Sequence, residues 1–87
     1  MGKSARERPK RLAAKLLQIR VGLGLSQNEM VEALGVKEKV SRSMVSGYEV
    51  GRREPSLLVL LRYSQLAKIH MEVLIDDSMD LPERLQG

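Results

Sequence analysis

The sequence predicts an all-α domain of five short helices, and three observations carry that expectation. Apolar residues recur at spacings of three and four over most of the chain, polar starts and glycine stops bracket those stretches, and aromatics are nearly absent. With Tyr48 and Tyr63 but no Phe or Trp, the core must be assembled from Leu, Val, Ile, Met and Ala. Such a core suits helices.

Residues 1–8 carry no apolar pattern to bury and read as a basic flexible arm. Pro9 suits the first turn of a helix, where its missing N–H is not needed. Leu12, Leu16, Ile19 and Leu23 then follow at spacings of four, three and four, so a helix from about Pro9 to Val21 buries one face, and Gly22 and Gly24 end it. Arg20 lies beside that face and needs an acidic partner if it is covered. Ser26 caps a second helix, with Glu29 three positions on completing a capping box. Met30, Val31 and Leu34 face inward, and Gly35 supplies the positive φ of a helix end. The charged segment VKEK, residues 36–39, has no cap of its own and reads as an extended turn between Val36 and Val40.

Ser41 caps a third helix, Arg42 to Val50, whose inner side is Met44, Val45 and Tyr48; Gly51 stops it and Pro55 lies beyond. Its other edge, Arg42, Ser43, Ser46 and Gly47, is small and polar. A mid-helix glycine is about 1 kcal/mol worse than alanine, so something else favours Gly47. Ser56 caps a fourth helix in which Leu57, Leu60, Leu61, Ser64 and Ala67 run at helical spacing beside Leu58 and Leu66. A helix apolar nearly all round is a central core element or a subunit interface. After a break at Lys68 to His70, with His70 as a cap, Met71, Leu74 and Ile75 mark a fifth helix ending near Asp77. The organisation expected is therefore an arm over residues 1–8, a helical domain over residues 9–77 and an irregular acidic tail over residues 78–87. Leu81 and Leu85 in that tail either pack on a partner subunit or are disordered.

At 87 residues one domain is expected, without a separate effector-binding domain. Cysteine is absent and His70 is the single histidine, which excludes disulfides and thiolate or histidine-cluster metal sites, so no metal, cofactor or small-molecule ligand is expected. The longest apolar run, Leu57 to Leu61, falls far short of the roughly 20 residues of a membrane span, and the basic start lacks a signal peptide's apolar stretch. A cytoplasmic protein without membrane contact is expected. Asp76 and Asp77 are adjacent carboxylates without a nucleophile or histidine beside them, so an enzyme is not expected, and a solvated acidic tail is the plainer reading. The net charge of +4 is unevenly spread. Lys3, Arg6, Arg8, Lys10, Arg11, Lys15 and Arg20 face only Glu7 in the first twenty residues, whereas Glu72, Asp76, Asp77, Asp80 and Glu83 face only Arg84 at the far end. A basic leading end on a small helical domain is the footprint of a polyanion binder.

Two short helices joined by a turn, the second with a narrow polar edge, suit an object that slides into the major groove of double-stranded DNA. The run LSQNEMVEALG followed by SRSMVSGYEVGRREPSLLVLL resembles the Cro/repressor-like (XRE-type) helix-turn-helix family. The resemblance extends from about Leu12 to Ile75 and rests on Gln27, Leu34, Gly35, Val45, Glu49, Gly51 and Pro55 in combination. It implies a five-helix lambda-repressor-like domain with the helix-turn-helix at helices 2 and 3.

The resemblance also implies roles. Gln27 matches a phosphate-gripping position at the start of helix 2. Arg42 and Ser43 match base-reading positions, Ser46 and Gly47 match later groove-facing ones, and an arginine at the first of these suits guanine. Arg52 and Arg53 resemble a basic pair on the DNA backbone, with Ser41 as a further phosphate contact. Arg20 and Glu49 match a structural ion pair between helix 1 and the end of helix 3. The chain departs from the family in its longer turn at residues 36–39, which offers Lys37 and Lys39 either as extra backbone contacts or as solvated surface. It departs also at Val31, where a small alanine is usual, and at Lys68, where glycine is common. The function implied is a sequence-specific DNA-binding transcriptional regulator acting as a homodimer on a palindromic operator. The alternative is an antitoxin or other interaction module whose acidic tail occupies a protein partner such as a toxin.

Overall fold

The structure, a computed structural model, describes residues 8–85. Most of the expected basic arm, residues 1–7, lies outside the described residues. Five helices follow in the expected order: α1 (Leu12–Gly22), α2 (Gln27–Leu34), α3 (Arg42–Glu49), α4 (Leu57–Ala67) and α5 (Met71–Ile75). No strand occurs among the described residues.

Short helices need good ends, and the local sequence supplies most of them. At Ser26 the hydroxyl accepts the Glu29 amide while the Glu29 carboxylate accepts the Ser26 amide, closing the capping box. Ser41 and Ser56 accept the amides of Met44 and Val59 in the same way. Gly35 and Gly51 take φ values of +74° and +79° and turn the chain out of α2 and α3. Lys68 sits at φ +58° at the end of α4. It is the single non-glycine residue with positive φ among those described, in a conformation that disfavours a side chain by roughly 1–2 kcal/mol.

The core joins Leu12, Leu16 and Ile19 of α1, Met30 and Leu34 of α2, Val45 and Tyr48 of α3, Val59, Leu60, Tyr63 and Ala67 of α4, and Leu74 of α5. Helix α3 packs against both α1 and α2, while α4 and α5 close the opposite side. The segment VKEK is not extended. The amides of Lys39 and Val40 both bond to the Val36 carbonyl, at 2.9 and 3.1 Å, so residues 36–40 form a compact turn. Its flanking valines are pulled into the core, leaving Lys37, Glu38 and Lys39 outside. Burying two apolar side chains favours folding the turn onto the domain.

Three expectations about the ends and faces need correction. Helix α1 begins at Leu12, not Pro9: Arg11 is its N-cap, with non-helical φ and ψ of −101° and 0°, and the amides of Lys10 and Arg11 are directed to the Asp77 carboxylate, at 2.9 and 3.0 Å. Asp77 is thus no solvated tail residue but an acceptor for the approach to α1. On α4 the buried stripe is Val59, Leu60, Tyr63, Ser64 and Ala67. Leu57 is 77% exposed, and Leu58 and Leu61 are partly exposed beside it. A single helix face cannot hold every leucine, and the bulk of Tyr63 takes the centre, with the Ser64 hydroxyl donating to the Leu61 carbonyl at 2.7 Å. Finally, Leu81 and Leu85 pack against the protein's own core. A Cβ added at Gly22 would lie 2.8 Å from Leu85 Cδ1, so the absent side chain at Gly22 seats the returning segment as well as lying near the helix end.

Candidate nucleic-acid interface

An amphipathic helix needs support on one side to present the other. Met44 is half-buried and Val45 and Tyr48 are buried on the inner side of α3, while Arg42 and Ser43 are exposed at its start and Ser46 is half-buried. The start is held by Ser41, whose hydroxyl accepts the Met44 amide at 3.3 Å and lies 3.1 Å from the Ser43 hydroxyl.

Gly47 departs from expectation. It is buried, not part of the exposed edge. Its carbonyl accepts the amides of Arg52 and Arg53, at 3.0 and 3.2 Å. A Cβ there would approach the Arg53 Cβ to 3.1 Å. The missing side chain lets the post-helix turn fold back over α3, which accounts for a glycine where helix propensity argues against one. Arg52 and Arg53 themselves are exposed and are carried on that pinned turn.

The far end of α3 is tied to α1. Arg20 Nε and Nη2 donate to the two Glu49 oxygens at 2.6 and 3.1 Å, and Arg20 Nη1 donates to the Leu25 carbonyl at 2.9 Å. The pair is largely withdrawn from water, with Arg20 and Glu49 side chains 17% and 4% exposed. The Glu49 hydrogen bond holds the guanidinium above its ordinary pKa, against the opposing effect of burial. Gln27, matched to a phosphate position, is half-buried and already engaged: its Nε2 donates to Glu49 Oε1 at 3.1 Å and its Oε1 accepts Arg42 Nη1 at 3.2 Å. The interior ion pair and the first exposed residue of α3 therefore belong to one hydrogen-bonded chain.

Lys37 and Lys39 lie on the exposed turn, and Lys37 pairs with Glu32 at 3.3 Å with both side chains more than half exposed. Arg8 lies 3.6 Å from Glu54, close behind the basic pair at residues 52 and 53. The described residues thus present Arg42, Ser43, Lys39, Arg52 and Arg53 in exposed positions on α3 and its two flanking turns. Such a surface can donate hydrogen bonds to base edges and to phosphates. Among the described residues, no group of three or more acidic, histidine or cysteine side chains is placed to hold a metal ion, and no helix is long and apolar enough to cross a membrane.

Reading the sequence left three supporting groups unassigned. Lys15 is buried on α1, where its ammonium donates to the carbonyls of Val73 and Asp76 at 2.7 and 2.9 Å. Burial, with Arg11 beside it, lowers its pKa against the pull of Asp77, Asp76 and Asp80. Tyr63 lies in the core with no hydrogen-bond partner for its hydroxyl among the described residues, and burial pushes its pKa well above the ordinary tyrosine range. Asp77 is the third. One signal pointed to it: no Ser, Thr, Asp or Asn stands at residues 9–11 ahead of α1, so that approach required an acceptor from elsewhere.

A family model described as helix-turn-helix matches residues 16–74, which span α1 to α5 apart from the first turn and the last residue. No curated protein and no solved structure matches the chain.

Proposed function

The chain belongs to the helix-turn-helix family of DNA-binding transcription regulators, of the Cro/repressor-like (XRE) type, and from that premise we propose that it reads one particular DNA sequence as a homodimer on a palindromic operator. The observation that carries the reading is the exposed start of α3, where Arg42 and Ser43 project beyond a helix buried on its other side. In this reading Arg42 meets a base edge in the major groove, with Ser43 and Ser46 beside it, while the buried Gly47 lets the turn that carries Arg52 and Arg53 lie close over α3. Arg52, Arg53, Ser41 and the lysines at 37 and 39 meet phosphates.

The case for a homodimer rests on reach and on spare apolar surface. One short helix covers too few base pairs to be selective in a genome, and two-fold pairing places a second reading helix about 34 Å away. Leu57, Leu58 and Leu61 form an exposed apolar stripe on α4. An interface there is favoured over the segment after residue 75, because Leu81 and Leu85 are already turned inward. The alternative of an antitoxin with a partner-binding acidic tail loses part of its motive, since Asp76, Asp77 and Asp80 hydrogen-bond within the chain.

Selection of bound sequences from a random DNA pool tests the reading, because both a motif and its symmetry emerge. Arg42→Ala is expected to relax base preference at one position per half-site, while Arg52→Ala weakens binding uniformly and makes its salt dependence shallower. Equal effects of the two substitutions on specific and random DNA would contradict the assignment. A monomer in sedimentation, free and on its operator, would remove the dimer.

A further inference from the structure

We propose that the cleft between the turn at residues 36–40, α3 and the start of α4 binds a small aliphatic carboxylate, its tail on an apolar floor and its carboxylate between Lys39 and Arg53. The inference departs from the expectation that no small-molecule ligand is bound. That expectation followed from missing cysteines and histidines, whereas this cleft is closed by side chains brought together from separate segments.

The floor is built first. The cleft encloses about 400 Å3, within the range of roughly 300–1,000 Å3 typical of small-molecule sites. Val36, Met44, Tyr48, Leu58 and Val59 line it. Val36, Tyr48 and Val59 are buried, Met44 is half-buried and Leu58 is 42% exposed, so an apolar wall runs from the core to the surface. Val36 and Lys39 belong to the longer turn by which the chain departs from its family. The bonds of the Lys39 and Val40 amides to the Val36 carbonyl hold that turn in shape, so this side of the cleft is a property of this chain.

The rim supplies charge. Arg53 is held in two ways: its amide donates to the Gly47 carbonyl at 3.2 Å, and its stem lies across Gly47, with Cβ and Cδ 3.1 and 3.7 Å from where a Cβ would stand. Its positive charge also opposes the upward push of burial on the Tyr48 phenol, which sets the guanidinium near the cleft floor. Glu54 lines the same cleft but pairs with Arg8 at 3.6 Å. Among the described residues neither Lys39 nor Arg53 takes part in an ion pair. Lys39 and Arg53 set against Glu54 leave the lining with one net positive charge, which matches a monoanion better than a phosphate dianion. A guanidinium fork fits a planar carboxylate, and the apolar floor selects an alkyl tail over a polar one.

Lys39 and Arg53 are also residues assigned above to DNA phosphates. An occupied cleft therefore competes with DNA for them, which makes the ligand an inhibitor of binding. That consequence rests on the proposed DNA contacts; the binding of the carboxylate does not.

The test titrates the full chain with butanoate, hexanoate and octanoate at constant ionic strength and follows methyl chemical shifts. Shifts are expected at Val36, Met44, Leu58 and Val59, with affinity rising about three- to fourfold for each added methylene. Hexan-1-ol should bind at least about tenfold more weakly than hexanoate, since it lacks the charge. Arg53→Ala and Lys39→Ala, both at exposed positions, should each weaken octanoate binding about fivefold or more, while Arg62→Ala, an exposed cation on α4 outside the cleft, leaves it unchanged. Affinity independent of chain length, equal binding of the alcohol, shifts away from the cleft, or an equal loss with Arg62→Ala would each overturn the inference. The DNA reading is tested separately by adding octanoate to the DNA complex. If octanoate fills the cleft and DNA affinity stays the same, the phosphate roles of Lys39 and Arg53 fail while the carboxylate site stands.

Discussion

Both ends of α1 are tied to remote parts of the chain by an arginine, yet the two ties are of different kinds. At the start, Arg11 reaches Asp80 and the carbonyls of Asp77 and Met79. Its side chain is 46% exposed, and that of Asp80 78%. At the end, Arg20 meets Glu49 with both side chains largely excluded from water. The first is a latch in high dielectric, screened by ions and weak; the second is a strut whose loss strands a charge. The difference teaches that a count of charge pairs says little until the water around each is known. It also separates tasks, because the wet latch holds the chain's end while the dry strut connects onward, through Gln27, to Arg42.

Each substitution that follows breaks or sharpens that contrast. The largest effect is expected from Arg20→Met, which leaves the Glu49 carboxylate buried with Gln27 as its remaining partner, a loss of about 3 kcal/mol or more. Denaturant unfolding should show the midpoint falling accordingly, and Arg20→Met with Glu49→Leu should recover much of it. A single-variant loss no larger than that of the exposed latch would erase the distinction. Next comes Lys15→Met, at about 1 to 2 kcal/mol, because two carbonyls lose their donor while a desolvated ammonium is removed. Hydrogen exchange should report the loss first in α5.

Arg11→Ala is expected to lower stability by less than about 1 kcal/mol, with the difference shrinking as salt is added. Persistence of that difference at molar salt would mean that the latch is more than a surface pair. The smallest effect is an acid one. Hydrogen bonds from Ser78 hold the Asp76 carboxyl below its usual range, amides of Lys10 and Arg11 do so for Asp77, and Arg11 does so for Asp80. The folded chain thus binds these protons less readily than the unfolded one. Their stabilisation is complete above the ordinary carboxylate range near about pH 4 and is lost as pH falls through the depressed folded values. Chemical shifts followed down in pH should show the start of α1 and residues 76–80 changing together, before α3 does.

The same contrast governs what was legible in the residues. The capping box at Ser26, the glycine ends at residues 35 and 51 and the serine caps at 41 and 56 were readable because each partner lies within a few positions. The Arg20 and Glu49 pairing came from resemblance and not from spacing. Missing from that reading were the part of Asp77 at the opening of α1, the inward turn of Leu81 and Leu85, and the engagement of Gln27. Asp77 is separated by 66 residues from the Arg11 amide it accepts, and no local pattern carries information over that distance. Gly47 was conspicuous as a helix-unfavourable residue, but its reason lay in a turn that only the folded chain brings back over it.

Periodicity and end chemistry by themselves determined how many helices form, nearly where each stops, and that α3 would carry a polar edge. Hydrogen bonding and side-chain alternation act over a turn or two, so the order of residues suffices to specify them. Which leucines of α4 remain outside, which acids are latched and which are free, and what holds Arg42 were decided by tertiary structure. Those outcomes depend on the water excluded and the distances closed when remote segments pack together.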